Sequence, residues 1–235
     1  MVWQPPNTSS AARVRPSPIS VAKPSKHPAV FHRGPPDLPR EFESGTWSAD
    51  GTIQEKRLED VEQRDLKLDT LRIEGSVLER AQLSGGQFGS AVWKDARLIG
   101  CDLANTRAQR STLVRVELID CRLTGFSATA LDWQDVLIQN GDVRYAQLSG
   151  GRFRNCEFQG CNCQEADLQH ADLSGSVFRS CNLARADLQG AKLHNTDFRK
   201  SEVEGMRVGM NDLWGAIVDP AQAMVFAQLM GLQIK

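Results

Sequence analysis

The chain has 235 residues and a formal net charge of -1, with 28 basic against 29 acidic side chains. That balance supplies no general pull toward nucleic acid or a membrane surface. No apolar run reaches the ~18 residues of a membrane span, and the first twenty residues hold Arg13 and Arg15 but no hydrophobic stretch after them, so no secretory signal is expected.

Residues 1–40 are rich in Pro and Ser, carry scattered basic residues and show no helical or strand period. They are expected to form a disordered tail. Residues 41–55 place Phe42, Trp47 and Ile53 among polar neighbours and are expected to fold back as an N-terminal cap. From Leu58 an apolar residue recurs every five positions without an insertion, through Leu68, Ile73, Leu78, Phe88, Trp93, Leu98 and onward to Leu213 and Val218, with Gln63 the one polar member. A small residue stands two places before most of these centres, as at Ala81, Cys101, Thr106, Cys121, Ala166, Ser176 and Ala186. Between the two lies a polar residue, often Asp or Asn.

A period of five fits neither a 3.6-residue helix nor an alternating strand, and it is a repeat signal. Segments such as Ala166-Asp-Leu-Gln-His, Ala171-Asp-Leu-Ser-Gly and Ala186-Asp-Leu-Gln-Gly resemble the pentapeptide-repeat family over about residues 56 to 220. The resemblance implies an all-β, right-handed quadrilateral parallel β-helix, with one pentapeptide per side and four per coil. The repeat tract, 56–219, then makes about eight coils, and at the usual ~4.8 Å strand spacing a rod on the order of 40 Å long.

Residues twenty apart are then expected to stack. One inward column holds Leu98, Leu118, Phe158, Phe178 and Phe198, a second Trp93, Trp133 and Phe153, a third Leu168 and Leu188. In the third, Ala108 and Ala128 are small while Phe126 and Leu131 fill nearby small positions, which predicts volume compensation or an altered turn there. Asp219 and Pro220 predict the start of a C-terminal helix over 220–235, with Gly231 as its stop. Met224, Phe226, Leu229 and Met230 are expected to cap the last coil or to form a dimer interface. Resemblance alone adds that gyrase-binding relatives often dimerise through this end.

The six cysteines fall on inward positions, and C-x2-4-C zinc spacing is absent, so buried thiols are expected and no metal. The histidines do not cluster, no phosphate-binding glycine loop is present, and no cofactor is expected. The expected function is therefore non-enzymatic: a cytoplasmic protein-binding or scaffold protein presenting a rigid surface. The resemblance implies an alternative, a DNA-mimicking binder of DNA gyrase or topoisomerase IV that protects it from inhibitors. For that role Asp167, Asp172, Asp187, Asp197, Glu202 and Asp212 are candidate partner-facing acids, yet residues 157–219 carry ten acids against six bases, only a mild excess. Arg97, Arg107, Arg110, Arg115 and Arg122 make a candidate basic band in the middle, for an acidic partner and, less in keeping with the net charge, for nucleic acid.

Overall fold

The computed structural model describes residues 33–234. In chain order its elements are β1 (Glu43–Ser44), β2 (Thr52–Gln54), β3 (Lys56–Glu59), β4 (Lys67–Glu74), β5 (Val77–Glu79), β6 (Gln87–Ile99) and β7 (Arg107–Ile119). These are followed by β8 (Ser127–Gln134), β9 (Leu137–Gln139), β10 (Arg152–Arg154), β11 (Glu157–Gln159), β12 (Val177–Arg179) and the helix α1 (Pro220–Leu229). Every strand pairing is parallel, and from β2 onward each joins residues twenty apart, from Ile53↔Ile73 through Trp93↔Leu113 to Phe158↔Phe178. The chain is a parallel β-solenoid. Isolated bridges such as Asp167↔Asp187 and Asp197↔Ile217 carry the same step to the end of the stack.

The inward residues explain the period. Leu98, Leu118, Trp93, Trp133, Phe153, Phe158, Phe178, Phe198, Leu168 and Leu188 are all buried in one continuous core. Phe158 and Phe178 stack with ring centroids 4.6 Å apart, and Phe178 and Phe198 at 5.4 Å. The small inward positions carry a polar task as well. Thr106 and Thr196 hydroxyls donate to Leu83 and Leu173 carbonyls, and the Cys121 thiol reaches the Leu98 carbonyl in the same way. Each contact satisfies a buried carbonyl on the coil below.

The polar residue between the two inward ones shapes the turn. The side chains of Asp102, Asn162, Asp167, Asn182 and Asp187 each accept a hydrogen bond from the amide two residues on. This is the local turn that Asp and Asn favour.

Three corners of the solenoid turn through a left-handed residue in coil after coil, for example Asp65, Gly85 and Asn105, or Gly75, Asp95 and Arg115, or Arg80, Gly100 and Asp120. The fourth does so at Gly150, His170 and Gly190, but Thr70, Ser90, Arg110 and Ala130 are not left-handed. This straight corner, one without a left-handed residue, lies inside β4, β6, β7 and β8. The ladder skips one residue on each, pairing Leu68↔Phe88 and then Thr70↔Ser90, or Phe88↔Ala108 and then Ser90↔Arg110. Asp69, Gly89, Gln109 and Thr129 are thus a stack of residues that the ladder skips with no change of register. The expected altered turn near 108–133 exists and extends back to Lys67. Phe126 and Leu131 are buried beside Ala128, so large and small residues have exchanged places.

The N-terminal boundaries differ from expectation. Ile53 is a fully buried member of the stack in register with Ile73, so the coils begin at β2 and not at 56. The cap is shorter, with β1 pairing β3 at Glu43↔Lys56 and Trp47 packing against the core. Of the expected disordered tail, residues 1–32 lie outside the described residues, whereas 33–40 form an ordered strap across several coils. The Arg33 guanidinium donates to Glu117 at 2.8 Å, the Gly34 amide to Asp135 and the Asp37 amide to Asp95. Main-chain amides meeting outward carboxylates hold this segment, which is why its composition gave no sign of order.

At the other end Asp219 caps α1, accepting from the Gln222 amide while the Gln222 side chain accepts from the Asp219 amide. Gln222 also donates to the Ser201 carbonyl at 2.7 Å, which ties the helix to the last coil, and Phe226 is buried against the core. Gly231 ends the helix with φ 83°.

Candidate functional site

The outer surface is laced by ion pairs between successive coils. Arg115 grips Asp95 through two of its guanidinium nitrogens, Nε and Nη2, at 2.6 and 2.5 Å, and Arg122 grips Asp102 in the same way at 2.9 and 2.6 Å. Arg97 reaches Glu117 at 2.7 Å, Arg185 reaches Glu165 at 2.9 Å and Arg207 reaches Asp187 at 2.7 Å. Partial burial works against the charge of Asp102, but hydrogen bonds from Arg122 and the Ala104 amide outweigh it and hold the carboxyl below its usual range. The same contest at Asp95, with Arg115 and the Asp37 amide on the winning side, ends the same way.

These pairs redraw both charged regions expected from the sequence. Of the basic band, Arg97, Arg115 and Arg122 are neutralised by acids one coil away. Among the described residues Arg107 and Arg110 have no ion pair, and both are exposed. The acids do not form an open face either. Asp187 is 4 % exposed and paired with Arg207, Asp172 meets Lys192, and Asp197 meets Arg199. Asp167 is half-buried and accepts the Gln169 amide, and Asp212 accepts the Gly190 and Gly209 amides. Glu202 is exposed. Most of these carboxylates shape turns or join coils, so a long field of one sign does not form.

Two surfaces stand apart. One is the C-terminal end, where Phe226 and Gln222 face inward while Met224, Leu229 and Met230 face out. Beside them Met210 is 67 % exposed, Leu232 61 % and Trp214 74 %, the Trp214 ring stacked on His194 at 5.0 Å. Met210 and Trp214 precede the helix and were not anticipated; both are apolar residues outside the inward series Val208, Leu213 and Val218, which is the signal that was available. The other is a groove of about 630 Å³ along the straight corner, lined by Lys67–Asp69, Gln87–Gly89, Arg107–Gln109, Ser127 and Thr129.

The cysteines are all free and buried. Burial pushes the Cys156 thiol up to about 12, and hydrogen bonding with Cys181 together with burial raises Cys163. Among the described residues no group of three or more His, Cys, Asp or Glu is placed to hold a metal ion, and no helix is long and apolar enough to cross a membrane.

No curated protein matches the chain. Among solved structures it is similar to a trypsin-treated variant of QnrB1, a plasmid-mediated fluoroquinolone resistance protein, at 20% identity and a TM-score of 0.40, over 75% of this chain and 99% of that one. It is also similar to HetL, a pentapeptide repeat protein involved in heterocyst differentiation regulation from the cyanobacterium Nostoc sp. strain PCC 7120, at 17% identity and a TM-score of 0.32, over 73% of this chain and 90% of that one. The sequence profile of the family described as pentapeptide repeats matches residues 94–127 and 161–199, in eight copies. Over those two stretches the chain carries pentapeptide repeats, and the twenty-residue ladder runs through them.

Proposed function

We propose that this chain is a non-enzymatic protein-binding scaffold that holds a partner through its C-terminal end. The observation that carries the reading is the exposed apolar set Met210, Trp214, Met224, Leu229, Leu232 and Ile234, gathered at one end of a solenoid whose sides are largely ion-paired. Exposed apolar groups concentrated in one place mark contact surfaces, and Trp and Met are favoured there. A second copy of the chain is the simplest partner, since a self-complementary end closes a dimer.

Sedimentation equilibrium of the full chain, beside a variant carrying Met224→Glu and Leu229→Glu, tests this. Self-association lost in the variant, with circular dichroism unchanged, supports the reading. A monomer that also captures no protein through this end overturns it. A duplex-mimicking ligand of DNA gyrase or topoisomerase IV calls for an uninterrupted acidic face, and the cross-coil pairs work against that alternative. A supercoiling assay with the purified chain separates the two, and inhibition at stoichiometric levels would favour mimicry.

A further inference from the structure

The groove along the straight corner combines three features that arise separately. Its length comes from the skipped ladder residues Asp69, Gly89, Gln109 and Thr129, which follow one another over four coils, on the order of 14 Å at the usual strand spacing. Its depth comes from Ala108 and Ala128, which stand in the column that Leu148, Leu168 and Leu188 fill farther along. Phe88 and Leu68 continue the apolar floor. Its charge comes from Lys67 and Arg107 on the lining and Arg110 beside it, none of them ion-paired among the described residues. On the same coils Arg97, Arg115 and Arg122 are all paired. Asp69 is the one carboxylate on the lining, and Gln87, Gln109, Ser127 and Thr129 supply neutral polar groups.

We propose that this groove binds an extended acidic peptide segment of a partner protein. An apolar side chain would sit on Phe88 and Ala108, with carboxylates on Lys67 and on Arg107 or Arg110. Lys67 and Arg107 lie two coils apart in one column, about 10 Å, and an extended peptide in the three-residue-per-turn polyproline II form rises ~3.1 Å per residue, so matching carboxylates three residues apart share one face. Unpaired guanidinium groups beside apolar floor favour a carboxylate that brings both charge and hydrogen bonds. The inference rests on the protein-binding reading and assigns it a second surface, away from the C-terminal end.

The test is fluorescence anisotropy with a labelled peptide containing Asp-Leu-Ser-Glu in a Gly/Ser context, titrated with the full chain. Saturable binding is expected, weakened by salt and at least ten-fold weaker for the Asn-Leu-Ser-Gln peptide. Arg107→Glu, an exposed change, is expected to weaken binding at least ten-fold. Lys67→Glu combined with Arg107→Glu is expected to switch preference to a Lys-Leu-Ser-Lys peptide, a result that loss of fold cannot imitate. Equal binding of neutral and acidic peptides, indifference to Arg107→Glu, or no binding at millimolar protein overturns the proposal. Any of these with intact self-association at the C-terminal end leaves the scaffold reading standing, while groove binding without association at that end overturns only the latter.

Discussion

From Gln147 onward the fourth corner is turned through Gly150, His170 and Gly190, whereas between Lys67 and Gln134 the same corner is run straight. Both regions keep the same twenty-residue register, so the register does not decide the corner. Side-chain size and corner chemistry do. In the turning coils a small residue precedes a large one, Ala146 before Leu148 and Ala166 before Leu168, and Gly or His occupies the left-handed position. In the straight coils the order is not kept, Gly86 before Phe88 giving way to Thr106 before Ala108 and Phe126 before Ala128, and the corner residues include β-branched Thr70, which resists a left-handed conformation. The turning region yields a closed wall, and the straight region yields a wall with a groove.

The comparison can be broken or sharpened by substitution. The largest effect is expected for Phe178→Ala in the stacked ladder of the turning region, about 3–5 kcal/mol by guanidinium unfolding. Phe88→Ala, at a residue 3 % exposed that borders the groove, leaves a cavity that can open into the groove and is expected to cost at least about 1 kcal/mol less. Equal costs would mean that the straight corner packs as tightly as the rest.

Within the straight region the two tryptophans of one column differ. The Trp133 indole donates to Ser111 at 3.1 Å, while the Trp93 indole nitrogen is buried with no hydrogen-bond partner among the described residues, Leu71 standing where the equivalent hydroxyl would be. Trp133→Phe is therefore expected to cost about 1 kcal/mol more than Trp93→Phe. The same cost for both would remove the polar distinction. At the corner itself, His170→Gly relieves a left-handed residue (φ 57°) and is expected to be neutral or stabilising by up to about 1 kcal/mol, whereas Arg110→Gly only loosens an extended strand and costs about 0.5–1 kcal/mol. Thermal unfolding of the two variants reads the difference.

The smallest effect concerns acid. Asp95 and Asp102 have carboxyls held below the usual range, so their contribution is complete above the ordinary carboxylate value of about 4 and is lost as pH falls through the depressed one. These pairs join coils of the straight region, and Asp95 also holds the strap through the Asp37 amide. Below pH ~4, exchange-detected opening is expected first in the strap and its underlying coils. Uniform loss along the rod would contradict that order.

Much of this was legible in the sequence. The five-residue period placed the buried column members, and Asp219, Pro220 and Gly231 marked both ends of the helix, because core position and capping are local rules. The ion pairs were legible in principle, since Asp95 and Arg115, or Asp102 and Arg122, stand twenty apart; counted along the chain, the arginines looked like a basic band. The strap at 33–40 was not legible, because main-chain amides make two of its contacts. The straight corner left only a faint signal, the absence of Gly, Asn, Asp or His at 70, 90, 110 and 130, since no insertion interrupts the period there.

Amide hydrogen exchange of the full chain, read by mass spectrometry, tests the central distinction most directly. Faster exchange is predicted at 89, 109 and 129, which the ladder skips between amides at Gln87, Arg107 and Ser127 that do donate to the neighbouring coil, and slow exchange at 147–150, 167–170 and 187–190, where the Leu148, Gly150 and His170 amides donate to the next coil. Equal protection along the whole corner would contradict the account, because it would mean that all the coils close in the same way and that no groove is held open.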